Sequence, residues 1–384
     1  MPSTKKPTIE LSPRVILTDS GVGFFMNKGH KLSKISMADD TVQYGVKMAA
    51  VSPQSFQHML RIGYISSLEV ARPEFTTIRS DLMDFSKLIV YGILYRHFDQ
   101  VIFDQLLNSA LIKEWNRSNP SNIIDERTKI NDGFLQDALA KNADKIKAMR
   151  RAIADPILRS VADDITLQAD EKNAKIFMTD RFLDHTRPFV WFILMRFSSS
   201  PHHKALLDEV RSTLDLYIRR SRIADYLTLL LMELAISAET INLTAFGERT
   251  YGKEANIPAM LYDPAKREEL LKAMEKARAD LTVAWRIGNP HSSSIGNDRK
   301  MELSIYNREA GYQELKEQVE EKMKSGAGVS IGQFYQTGSA GNSQMGLLYL
   351  GYLQEECDKV GMRFSSRVSE ARSGVPLITL KLQF

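Results

Sequence analysis

Cysteine is almost absent from this chain: Cys357 is the single one in 384 residues. No intrachain disulfide can form, and a reducing compartment is the expected setting. Long apolar runs are missing too. Residues 88–95 and 188–195 are the best stretches, and each is less than half of what a bilayer requires, so no membrane span is expected. The basic start Met1-Pro2-Ser3-Thr4-Lys5-Lys6 has no apolar core after it, so no secretory signal is expected either. Together these absences point to the cytoplasm. Internal repeats and low-complexity blocks are absent as well. The net charge is only +4, with acidic and basic residues alternating along most helical stretches. That describes a solvated surface better than a nucleic-acid footprint.

What is present is enough apolar material for a core. The hydrophobic share is 43%, and 384 residues suffice for two domains. Residues 1–40 read as an extended arm, with β-branched alternation over 8–18 broken by Gly21, Gly23 and Gly29. Residues 41–200 read as a helical region. Leu82, Phe85, Leu88, Ile89, Gly92, Ile93 and Tyr95 fall near helical spacing, followed by Val101, Phe103, Leu106, Leu107 and Leu111. Residues 121–133 are polar and turn-like, Pro156 marks a helix start or kink, and 177–197 form an aromatic buried helix. A helix or helix pair is expected over 202–243, and another from Asp263-Pro264 to about 280, with Asp263 as N-cap. Strand signals come late, at 281–287, 301–307, 362–368 and 375–384. Helices first and strands late predict an α+β chain.

The final eighty residues are the most informative. A helix over 311–325 precedes a Gly/Ser-rich stretch over 326–342, which opens into an apolar helix over 343–359. Glycines let backbone N–H groups approach a phosphate, and a helix N-terminus supplies unpaired donors. The same stretch also reads as a flexible linker.

The order of elements over 205–384 resembles the histidine-kinase-like ATPase family. The helix Leu231-Met232-Glu233-Leu234-Ala235-Ile236-Ser237-Ala238 is similar to the family box Glu-Leu-x-x-Asn-Ala, with Ser237 in place of the asparagine. The strand ending Asn307-Arg308-Glu309-Ala310-Gly311 is similar to the Asp-x-Gly-x-Gly box, with Asn307 for aspartate and Gly311 as the remaining glycine. Phe334-Tyr335-Gln336-Thr337 and Met345-Gly346-Leu347 resemble the family's lid. Gly346 keeps a family position, Asn342 and Gln344 replace glycines, and Gly338 and Gly341 lie just upstream. The closing strands resemble the final hairpin. This resemblance implies an α/β sandwich of histidine-kinase-like ATPase type that holds ATP and magnesium. Glu233 would then stand near the phosphates and Ser237 near the metal. Asn307 and Gly311 would lie at the adenine end, and Gly338, Gly341 and Gly346 on the lid.

Other constellations carry less. Asp19-Ser20-Gly21-Val22-Gly23 matches the adenine box literally but precedes all the helices, and reads as a turn. His185, in Asp184-His185-Thr186-Arg187-Pro188, has a faint likeness to a phosphoacceptor box; a helix-capping role is the alternative. His202-His203 lacks companions for a metal site. The basic clusters over 145–151 and 219–222 sit on helices among carboxylates. The expectation is a cytoplasmic signalling or regulatory protein with a diverged ATP-binding domain, without full catalytic competence, whose helical region serves a protein partner or homo-oligomer. The alternatives are a scaffold that takes no nucleotide, and a sensor histidine kinase using His185.

Overall fold

In the stretch Leu281–Ile287, every residue but Arg286 is buried, which a strand achieves only when both sides of its sheet are covered. That strand is β5, near the middle of an eight-stranded sheet in the computed structural model of the chain. The structure describes residues 8–128, 130–252, 254–288, 300–307, 312–313, 316–317, 345–371 and 374–384. Among them the fold is α+β, and it divides into two compact units: Met1–Ile93 with Arg222–Phe384, and Leu94–Ser221.

The first unit holds the sheet. Its strands are β1 (Arg14–Leu17), β2 (Ser33–Ser36), β3 (Val42–Lys47), β4 (Ile65–Arg72), β5, β6 (Lys300–Tyr306), β7 (Arg363–Glu370) and β8 (Pro376–Gln383). They lie in the order β2-β3-β1-β4-β5-β6-β8-β7, and every neighbouring pair is antiparallel. Short helices α1 (Asp19–Asn27) and α2 (Pro53–Arg61) fill the early connections. The longer ones are α3 (Arg79–Asn108), whose first half belongs here, α10 (Ile223–Tyr251), α11 (Ile257–Tyr262), α12 (Pro264–Ala277) and α13 (Met345–Lys359).

One face of the sheet is apolar. Cross-strand register puts Leu68, Trp285, Leu303 and Leu380 side by side on it, all at most 2% exposed. Phe85 of α3 meets Trp285 edge to face at 5.4 Å, and Phe56 of α2 meets Phe85 at 5.1 Å. Lys87 of α3 pairs with Asp225 of α10 at 2.6 Å, so α3 and α10 are neighbours in the covering layer. The other face carries Arg14, Glu69, Ala284, Ser304 and Thr379 in one cross-strand row. The β2–β3 turn folds over this second face, and Ala38 packs on Ala284, Tyr306 and Leu377.

The second unit is helical: the rest of α3, then α4 (Ala110–Ser118), α5 (Asp132–Lys141), α6 (Ala143–Asp163), α7 (Ala169–His185), α8 (Pro188–Arg196) and α9 (His203–Ser221). Its aromatic core joins Tyr95, Phe98, Phe182 and Tyr217, with ring centroids 4.8 to 5.8 Å apart. The aromatic stretch expected as one helix is two, α7 and α8, because Pro188 lacks an N–H and starts a new helix. Pro156 lies inside α6.

The amino-terminal residues differ from the expected arm. They supply β1, α1 and β2, and β1 sits inside the sheet between β3 and β4. The helical reading of 41–200 likewise contains two strands, β3 and β4. In β4 residues of both parities are buried, Leu68 and Val70 as well as Glu69. An apolar run buried on both faces shows no two-residue period and imitates a piece of helix. The stretch 19–23, expected as a turn, is the first turn of α1, with the Thr18 hydroxyl accepting from Gly21 N at 3.2 Å.

Candidate functional site

Sheet register decides which termini meet. Leu270 and Met274 of α12 pack on Leu243 and Phe246 of α10, and Ala279 completes that cluster just before β5 begins at Leu281. The C-terminal half of α10 therefore lies at the end of the sheet where β5 starts. Thr282 pairs with Tyr306, so β6 finishes at that same end. α13 runs through Gly361, whose φ of 66° allows the sharp turn, into β7 at Arg363, which pairs with Gln383 at the opposite end. Near that opposite end the Tyr352 ring meets Tyr226 of α10 at 5.1 Å, and Lys359 is within electrostatic reach of Tyr226. The two helices thus run antiparallel. Both advance about 1.5 Å per residue, so the first turn of α13 comes level with Glu233.

Part of the expected set lies on these elements. Glu233 and Ser237 are half-buried, one turn apart on α10. Asn307 follows β6 directly, is 2% exposed, and its backbone N–H donates to Pro376 O at 2.9 Å, which extends the ladder by one residue. By alternation it shares the helix-covered side of the sheet with Leu303 and Ile305. Gly346 is the second residue of α13. Gly311, Gly338 and Gly341 lie outside the described residues. His185 is not part of this group, since it belongs to the second unit, at the end of α7. Its backbone carbonyl accepts from the Tyr95 hydroxyl, and its ring lies edge-on to Tyr95 at 6.4 Å. That is an end-of-helix anchoring contact.

The sequence reading missed Asn242. It is fully buried on α10, and neither its side-chain oxygen nor its nitrogen has a hydrogen-bond partner. The available signal was positional: Leu231, Ala235, Ala238, Asn242 and Phe246 form one helical stripe, and only Asn242 on it is polar.

Two buried carboxylates have structural partners instead. Glu239 accepts from Phe75 N at 2.7 Å, Thr76 N at 3.0 Å and the Thr76 hydroxyl at 2.9 Å, while Arg267 bridges it to Glu74 at 2.6 and 2.7 Å. This ties α10, α12 and the segment after β4 together. On the other sheet face, Glu69 accepts from Ala38 N with both oxygens, at 2.9 and 3.1 Å, with Arg14 at 3.9 Å. Burial pushes its carboxyl up to about 7 against the pull of the Ala38 bond and Arg14. Beside it Asp39 pairs with Arg286. Burial works to raise Asp39, but the Thr41 hydroxyl and Arg286 outweigh it and hold the carboxyl below its ordinary range.

His202 lies 3.8 Å from Glu114, and burial lowers the His203 imidazole. Among the described residues no group of three or more His, Cys, Asp and Glu is placed to hold a metal ion. Cys357 is buried on α13 and its thiol is pushed up to about 12 by burial, which makes it a poor nucleophile. Within the basic cluster over 145–151, Arg150 pairs with Asp184 at 2.9 Å and stacks on Trp191. The run His203–Tyr251 is long and apolar enough to cross a membrane by length and composition alone. In α10, however, the apolar residues Leu227, Leu230, Leu231, Met232 and Leu234 are buried inside the unit.

No solved structure matches the chain. A relative from Treponema pallidum (strain Nichols), described as an uncharacterized protein, is 31% identical over 384 residues, covering 99% of each chain. Residues 4–384 match a family described as "Family of unknown function (DUF8084)", and the chain belongs to that family.

Proposed function

We propose that this is a cytoplasmic regulatory protein whose first unit carries a diverged ATP pocket of the histidine-kinase-like type. Nucleotide occupancy, not phosphotransfer, is its working signal, and the second unit serves a protein partner or a second copy. One observation supports the reading: on the helix-covered side of one sheet, α10 carries Glu233 and Ser237 level with the start of α13 and runs on toward the sheet end where Asn307 follows β6. In the resemblance these positions hold phosphate, metal and adenine.

The residues suit binding better than turnover. Asn307 offers an acceptor oxygen and a donor nitrogen but no charge. Ser237 offers one neutral oxygen, so magnesium would arrive held mainly by the phosphates of ATP. When bound, that ion would neutralise phosphate charge. Glu233 can accept a proton or orient a water only if the phosphates come within hydrogen-bond reach of α10.

The test is thermal unfolding of the full chain with and without millimolar ATP and magnesium. Ligand at a hundred times its dissociation constant stabilises by about 2.7 kcal/mol, several degrees of melting shift. The shift is expected in the wild type and lost in Asn307→Ala. A melting temperature that no nucleotide moves would leave the first unit as a binding scaffold without ligand.

A further inference from the structure

Asn242 breaks a rule that buried polar groups obey. Its amide carries two donors and an acceptor with two lone pairs, and in a fully buried position none is bonded. Such a group costs free energy in the folded chain unless something polar meets it. The residues around it in sequence show that bonding was available nearby. Three residues earlier, Glu239 has taken Phe75 N, Thr76 and Arg267. The amide was left out of that network.

Its position matters as much as its state. Asn242 lies on the interior stripe of α10, next to Leu243, which packs against α12 at the end of the sheet where β5 starts and β6 stops. Asn307 is buried at that same end, on the helix-covered side of the sheet. Two buried carboxamides, one from the helix layer and one from the strand layer, thus come to one end of the same interior.

We infer that Asn242 is a base-reading residue of the nucleotide pocket, recognising the edge of an adenine. This rests on the pocket reading above and deepens it. A carboxamide presents N–H and C=O side by side, the complement of an amino group beside a ring nitrogen. Its carbonyl accepts from the exocyclic amino group and its NH2 donates to the adjacent ring nitrogen. At the edge that sets this amino group beside N7, a base with an oxygen in its place presents two acceptors, so the amide carbonyl faces an acceptor whichever way the amide turns, and the base is rejected.

The experiment compares wild type, Asn242→Leu and Asn242→Ala by thermal unfolding, each alone, with magnesium ATP and with magnesium inosine triphosphate. Affinities follow from the concentration dependence of the shift. In the wild type ATP is expected to bind roughly tenfold or more tightly than the inosine nucleotide. Both variants are expected to lose that preference, and Asn242→Leu to melt no lower than wild type without ligand, because it removes an unbonded buried amide. The smaller Ala variant gives the same readout if leucine overfills the site. A preference for ATP that survives both substitutions would overturn the assignment and leave Asn242 hydrated by an internal water. So would an unliganded melting temperature that drops sharply in both variants, since the amide would then serve the fold. A wild type that binds neither nucleotide removes the pocket reading itself, an outcome distinct from either of these.

Discussion

Glu69 is 1% exposed and faces charged groups from every side: Arg14 on β1, Asp39 on the β2–β3 turn, Arg286 on β5 and the Tyr306 hydroxyl on β6. Its carboxyl is raised from 4.5 to about 7, so the folded protein holds a proton there that the unfolded chain releases. The sign follows directly. The stabilisation is complete below the unfolded value and is lost as pH climbs to about 7, by an amount on the order of 3 kcal/mol. Unfolding free energies of wild type and Glu69→Gln, measured by urea between pH 4.5 and 7.5, should diverge as pH rises, with wild type falling faster. Parallel curves would mean that Ala38 N–H and Arg14 keep the carboxylate charged at no cost. Nothing in the local sequence Ser67-Leu68-Glu69-Val70 announced this. An acidic residue in a strand ordinarily points to water, and only the β2–β3 turn folding over it makes it buried.

Helix boundaries set by local chemistry were the legible part at the scale of elements. Asp263 caps α12 by accepting from Ala265 N and Lys266 N, with Pro264 in the first turn, as its sequence implies. β5 occupies the stretch 281–287 that its apolar residues marked, and β6 and the final hairpin lie within one or two residues of expectation. Contacts between elements were not legible. Gly92 fits the helical spacing of α3 without comment, yet a Cβ there would come within 2.9 Å of the Leu60 Cβ on α2. Since that atom is fixed to the backbone, α2 would have to move. Gly92→Ala should therefore destabilise by roughly 1–3 kcal/mol even though alanine favours helix by about 1 kcal/mol. A urea midpoint equal to or above that of wild type would show that the two helices separate freely. The candidate site divides in the same way: Glu233, Ser237 and Asn307 could be picked out because the short stretches around them resemble family boxes. Asn242 could not, because its distinction is burial without a partner.

At the scale of the whole chain, the second unit is one continuous stretch, Leu94–Ser221, between two halves of the first. It has its own core in Phe98, Ile102, Leu106, Phe182, Val190, Leu214 and Tyr217. An expressed fragment spanning 94–221 should be helical by circular dichroism and unfold in one cooperative thermal transition. A helical signal that melts gradually would show that this stretch needs the first unit in order to fold. Sequence order alone placed the boundary near 200 and separated an amino-terminal arm from a carboxy-terminal domain. Contact in space joins those two ends in a single sheet, because β4 and β5 pair across the whole intervening chain. Caps, prolines and alternation act within a few residues, so the sequence by itself determined the α+β class, the limits of α12 and α13 and the four late strands. Strand pairing, the burial of Glu69 and Asn242, and the packing of α13 on α10 depend on residues far apart in sequence, and only the tertiary structure decided them.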